Sequence, residues 1–124
     1  MNKVMSALVE LSGNNENWKQ ACEKGVFYVI ATPVFGGSYS VGCMETSVGD
    51  VPGLCATKAE AEEENSDMIE EYRNQITEGE RDEGDEWDGE VMEAHWDGDS
   101  DEMHLYSNGH LIYSGSWRDM AGLG

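Results

Sequence analysis

The chain has 124 residues, 39% of them hydrophobic, with four Trp and five Tyr, and a formal net charge of −19. That apolar content excludes a disordered chain, and the length suits a single domain spanning residues 1–124 with one core. A deficit of Lys and Arg this large excludes direct binding to nucleic acid or to an anionic membrane, because both depend on basic side chains.

The charge is unevenly placed. Residues 1–56 carry five acids against three lysines, residues 57–102 carry twenty acids against three bases, and residues 103–124 carry Asp119 against Arg118. No apolar run approaches the ~20 residues of a membrane span. The N-terminal segment, with one lysine and a broken apolar stretch, makes a poor signal peptide, so a cytoplasmic protein of a bacterial host is expected. Cys22, Cys43 and Cys55 form no CxxC and are expected as reduced thiols packed as small hydrophobes.

In chain order, Val4, Met5, Leu8 and Leu11 recur at helical spacing until Ser12-Gly13 stops the run. A second short helix follows, capped by Asn15 or Asn17 and ended by Gly25. Residues 26–32, VFYVIAT, are continuously apolar and read as a central strand buried on both faces. Residues 38–45 alternate, with Tyr39, Val41 and Cys43 on one face. Residues 46–54, with Pro52 and two glycines, form a loop.

The helix over about 57–78 is the clearest element. Thr57 and Glu60 form a capping box, Gly79 ends the run, and Ala61, Met68, Ile69, Tyr72 and Ile76 form an apolar stripe expected to pack on the sheet. After an acidic linker come three strands. Met92, Ala94 and Trp96 share one face of the first. The other two, 102–107 and 110–115, flank Asn108-Gly109, the strongest short hairpin signal. A two-residue turn there sets Leu105 opposite Ile112 and His104 opposite Tyr113. The expected fold is α+β: about five mostly antiparallel strands, one long acidic helix on the sheet, and a helical N-terminal segment.

The sequence argues against an enzyme. Asp97, Asp99 and Asp101 begin like a calcium loop, but an EF-hand needs Gly at the sixth position and Glu at the twelfth, where this chain has Glu102 and Asn108. A solvated turn is expected. His95, His104 and His110 share no ligand spacing with one another or with the cysteines, and the register brings no pair together. The glycines of residues 35–42 precede a strand, whereas a phosphate cradle precedes a helix. No cofactor and no metal are therefore expected.

The acidic band remains. Opposite the apolar stripe, the long helix presents Glu60, Glu63, Glu64, Asp67, Glu70, Glu71 and Glu78, and Asp82, Glu83, Asp85, Glu86, Asp88 and Glu90 continue the potential. Acids three or four apart on a helix lie ~5–6 Å apart, on the scale of charge repeat along a nucleic-acid strand. Solubility of a small domain needs a net charge of magnitude about 2–8. The excess suits a partner with a basic nucleic-acid-binding surface; Trp87, ringed by carboxylates, reads equally as an anchor for it or as a cover for the end of the long helix. In size, charge and charge placement over residues 57–102, the chain resembles the acidic nucleic-acid-mimic inhibitors of phages and plasmids, the anti-restriction and some anti-CRISPR proteins. The resemblance implies a non-enzymatic inhibitor of a host defence complex whose helical acids stand in for phosphates. The alternative is an acidic interaction module whose basic partner binds no nucleic acid.

Overall fold

The computed structural model describes residues 6–8, 10, 13, 15–34, 38–42, 54–82, 84, 87–97 and 100–120. Residues 6–8 and 10 are helical. Then follow α1 (Glu16–Lys24), β1 (Val26–Val34), β2 (Ser38–Gly42), α2 (Lys58–Thr77), β3 (Glu90–His95), β4 (Glu102–Ser107), β5 (His110–Ser116) and α3 (Trp117–Met120). The sheet order is β2-β1-β3-β4-β5, and every neighbouring pair is antiparallel. The expected α+β class, with an antiparallel sheet and a long helix, is the class observed.

Local chemistry sets the element ends. Asn15 caps α1 by accepting the amide of Asn17 at 2.8 Å. Gly25 closes it at φ 68°, where a side chain would be strained and its Cβ would meet the Trp96 carbonyl oxygen at 3.1 Å. Thr57 caps α2 by accepting the amide of Glu60 at 3.3 Å. Asn108 and Gly109, at φ 51° and 80°, build the hairpin turn. A bulge between Leu105 and Tyr106 shifts the pairing, so Leu105 lies opposite Tyr113 and His104 opposite Ser114. This corrects the register expected from turn length alone, because an inserted residue moves every later pair by one.

Strand alternation divides the sheet into two unlike faces. Phe27, Val29 and Ala31 of β1, Met92 and Ala94 of β3 and Met103 and Leu105 of β4 are all buried on one face. Leu8, Trp18 and Ala21 cover them from the N-terminal side, Trp117 and Met120 from the C-terminal side. Phe27 sits between Trp18 and Trp96, with ring centroids 6.1 and 6.4 Å away. Although β2 and β5 are opposite edges, the rings of Tyr39 and Tyr113 are 5.8 Å apart, and α3 packs against both strands. The sheet is therefore curled around its core. The short helix α3, four residues on buried Trp117 and Met120, has no counterpart in the sequence reading.

The other face carries α2, which packs on β1 and β3. Its buried contact is small: Ala61 against Cys55, with Tyr28 and Val91 beside them. Cys55 extends the β1 edge beyond β2 through paired backbone bonds with Tyr28 of 2.8 and 2.9 Å. The expected stripe of α2 is thus corrected. Met68, Ile69, Tyr72 and Ile76 are only half-buried, and Tyr72 packs on Trp87 rather than on the sheet. The buried contact with the sheet gathers at Ala61 in the first turn, and further along the helix Tyr72 meets the Trp87 ring.

Cys55 is disulfide-bonded, whereas Cys22 lies outside any disulfide. This corrects the expectation of three reduced thiols. Disulfides persist in oxidising compartments, so cysteine usage no longer argues for the cytoplasm. Cys43 lies outside the described residues. Burial raises the pKa of the Cys22 thiol, which holds it in its unreactive protonated form. Its alkylation by iodoacetamide at pH 8 is expected to run severalfold slower than in the urea-unfolded chain. Equal rates would refute that burial. No described helix is long and apolar enough to cross a membrane.

Candidate protein-interaction surface

The solvent-facing side of α2 carries Glu63, Asp67, Glu70 and Glu71, all exposed, with Glu78 exposed at the cap. Glu60 and Glu64 are half-buried, which corrects their placement on the outer face. At 100° per residue they fall on the flank turned toward the sheet. One carboxylate oxygen of Glu60, Oε2, is buried with no hydrogen-bond partner among the described residues. Asp82, Asp88 and Glu90 are exposed, and Glu90 accepts a bond from the Ser107 hydroxyl at 3.1 Å. Glu83, Asp85 and Glu86 lie outside the described residues.

Three bases, Lys58, Arg73 and Arg81, stand among the acids of this region. Lys58 pairs with Glu62 at 3.8 Å, one helical turn away. The Arg81 guanidinium lies 3.8 Å from the Tyr72 ring centroid and donates to Gln75 Oε1. Arg73 is exposed and lines a small cavity of ≈ 180 Å³ with Ile69, Tyr72, Ile76 and Trp87.

Trp87 is not a free-standing anchor. Its indole nitrogen donates to Asn65 Oδ1 at 2.6 Å, and its ring meets Tyr72 edge-on at 5.2 Å. Asn65 in turn donates to the Gly89 carbonyl at 3.2 Å. Residues 87–89 are therefore fastened along α2. Gly89 is required for this, because a Cβ there would meet the Trp87 ring at 2.6 Å. Asn65 is a positioning residue that sequence reasoning missed. A lone Asn within a helix gives no periodic signal, and its partners are more than twenty positions away.

The remaining candidates resolve into structural roles. Asp97 accepts the Ser100 amide at 2.8 Å, and Asp101 accepts the Ser116 hydroxyl at 3.3 Å. Asp99 lies outside the described residues. His95 and His104 stand directly opposite on β3 and β4, which corrects the reading that no histidine pair meets. His104 Nδ1 shares a hydrogen with Ser114 Oγ at 2.7 Å, and His95 stacks on Tyr106 at 4.3 Å. Among the described residues no three His, Cys, Asp or Glu side chains are grouped to hold a metal.

A larger groove of ≈ 480 Å³ lies between the first half of α2 and the uncovered part of the sheet. Tyr28, Glu93 and Tyr106 line its floor, with Lys58 and Glu62 on the helix side. Comparison with known protein families, curated proteins and solved structures finds no match.

Proposed function

We propose that the protein is a non-enzymatic inhibitor of the anti-restriction or anti-CRISPR type, which occupies a basic nucleic-acid-binding surface of a defence complex. The observation that carries this reading is the row of exposed carboxylates Glu63, Asp67, Glu70 and Glu71 on a rigid helix. Their spacing of one to four residues along α2 sets like charges a few ångströms apart on a preorganised scaffold. A basic groove built for phosphates is attracted to such a row and is blocked by it. Asp82, Asp88 and Glu90 extend the same potential beyond the helix.

Trp87 supports the surface from beneath, by fixing the 87–89 segment to Asn65. Its own ring is half-buried and contributes its exposed edge only.

Competition tests the reading. Purified protein is added to a panel of restriction and RNA-guided effector complexes, and DNA binding is measured by fluorescence anisotropy. One class is expected to lose DNA binding in its presence, and excess DNA is expected to displace the protein. A complex that holds both together, with neither weakening the other, would rule out occlusion and favour an interaction module with a basic partner.

A further inference from the structure

The groove beneath α2 has a composition that the outer helix face does not explain. Strand register sets Tyr28 of β1 opposite Glu93 of β3, and Glu93 opposite Tyr106 of β4. One carboxylate thus lies between two phenol rings, in a row across three adjacent strands. The two tyrosine positions are two strand spacings apart, about 10 Å, with Glu93 midway, so a cation that reaches the carboxylate comes alongside both rings. The His95 ring lies beside that of Tyr106, with centroids 4.3 Å apart. Glu62 adds a second carboxylate from the helix. Against these stands Lys58, held to Glu62 at 3.8 Å.

We propose that this groove receives a single arginine side chain from a protein partner. Two carboxylates against one lysine leave the groove net negative, which disfavours phosphates and carboxylates as ligands. A purely apolar ligand would desolvate Glu93 without compensation. The volume of ≈ 480 Å³ falls within the range of small-ligand pockets. Arginine fits best among organic cations. Its planar guanidinium stacks on aromatic faces and offers a fork of donors to a carboxylate, whereas a lysine ammonium is a compact, strongly hydrated point charge. Lys58 then occupies the mouth as a resident competitor for Glu62.

The proposal rests on the reading that the partner is a basic protein, and adds to the outer face of α2 a second contact with a defined occupant. It also assigns the half-buried tyrosines of the open sheet face a role in recognition.

The test uses the full chain, labelled with ¹⁵N, titrated with an acetylated tripeptide containing one arginine and with its citrulline counterpart. Citrulline keeps the shape and removes the charge. Amide shifts are expected around Tyr28, Glu93 and Tyr106 with the arginine peptide, and binding at least tenfold weaker with citrulline. Glu93→Gln, which is isosteric, should weaken arginine binding about tenfold while leaving the circular-dichroism spectrum unchanged. Tyr106→Leu should weaken it as well, and Lys58→Met should leave it unchanged or tighten it. Equal binding of arginine and citrulline, shifts confined to the outer face of α2, or a Glu93→Gln variant that binds normally would each overturn the groove. This assay is independent of competition with DNA. Groove failure with successful competition removes the arginine site alone, and groove binding without competition removes the nucleic-acid-site reading alone.

Discussion

Truncation of Phe27 to alanine is expected to cost about 3–5 kcal/mol, the range for large aromatic deletions from a core. Phe27 is fully buried between Trp18 and Trp96 and faces the strands that hold the sheet together. A domain of this size has a total stability of ~5–15 kcal/mol, so the variant should be marginal at 37 °C. Tyr72→Ala provides the contrast. Tyr72 makes an edge contact with Trp87, carries the Arg81 guanidinium and is only half-buried. Those two contacts are worth about 0.5–1.5 and ~0.5–1 kcal/mol, so a loss of about 1–2 kcal/mol is expected. Urea midpoints with unchanged m-values measure both. A Phe27→Ala loss below ~1 kcal/mol, or a Tyr72→Ala loss as large as that of Phe27→Ala, would place the wrong face of the molecule inside.

Reversal of Glu63, Asp67, Glu70 and Glu71 to lysine is expected to abolish partner binding and leave the fold intact. All four are exposed, and none contributes a packed surface. Each interfacial pair of exposed charges is worth ~0.2–1 kcal/mol, and reversal adds repulsion. The sum is about 3 kcal/mol, or roughly a hundredfold in affinity. In wild type, affinity should fall steeply between 50 and 300 mM salt, because exposed pairs are screened. The same reversal at Asp97 and Asp101 should have a smaller effect on binding, because that turn lies beyond the helix. Reversal that leaves binding intact would remove the outer face of α2 from the interface.

Much of the architecture follows from local signals. Asn15, Gly25, Thr57 and Asn108-Gly109 act through their own backbone neighbours, so the sequence displays them directly. The alternation of Met92 and Ala94 with half-buried neighbours reports a sheet with one packed face. Illegible features depend on distance. The apolar stripe of α2 has helical periodicity whether its partner is a sheet or a single indole, and only tertiary geometry separates the two. Among charged neighbours Trp87 reads equally as an anchor or as a cover for the helix, and only its contacts with Asn65 and Tyr72 on another element decide for the cover. The bulge at Leu105/Tyr106 carries no glycine to announce it, so the hairpin register was one residue out. The meeting of Tyr28, Glu93 and Tyr106 needs three strands in register, and no linear spacing encodes it.

The pairing of β1 with β3, six residue pairs long, is the seam on which the two ends of the chain meet. All of its partners are separated by residues 35–89, whereas the β1–β2, β3–β4 and β4–β5 pairs join neighbours in the chain. Closing so long an intervening segment is entropically unfavourable before any contact compensates. The hairpins and α2 can form early from local interactions, while Phe27 and Val29 must wait for Met92 and Ala94 to arrive. The acidic insertion therefore sets the tempo of folding. Its mutual repulsion keeps the segment expanded, and counterions that relax it would shorten the search that brings the seam together.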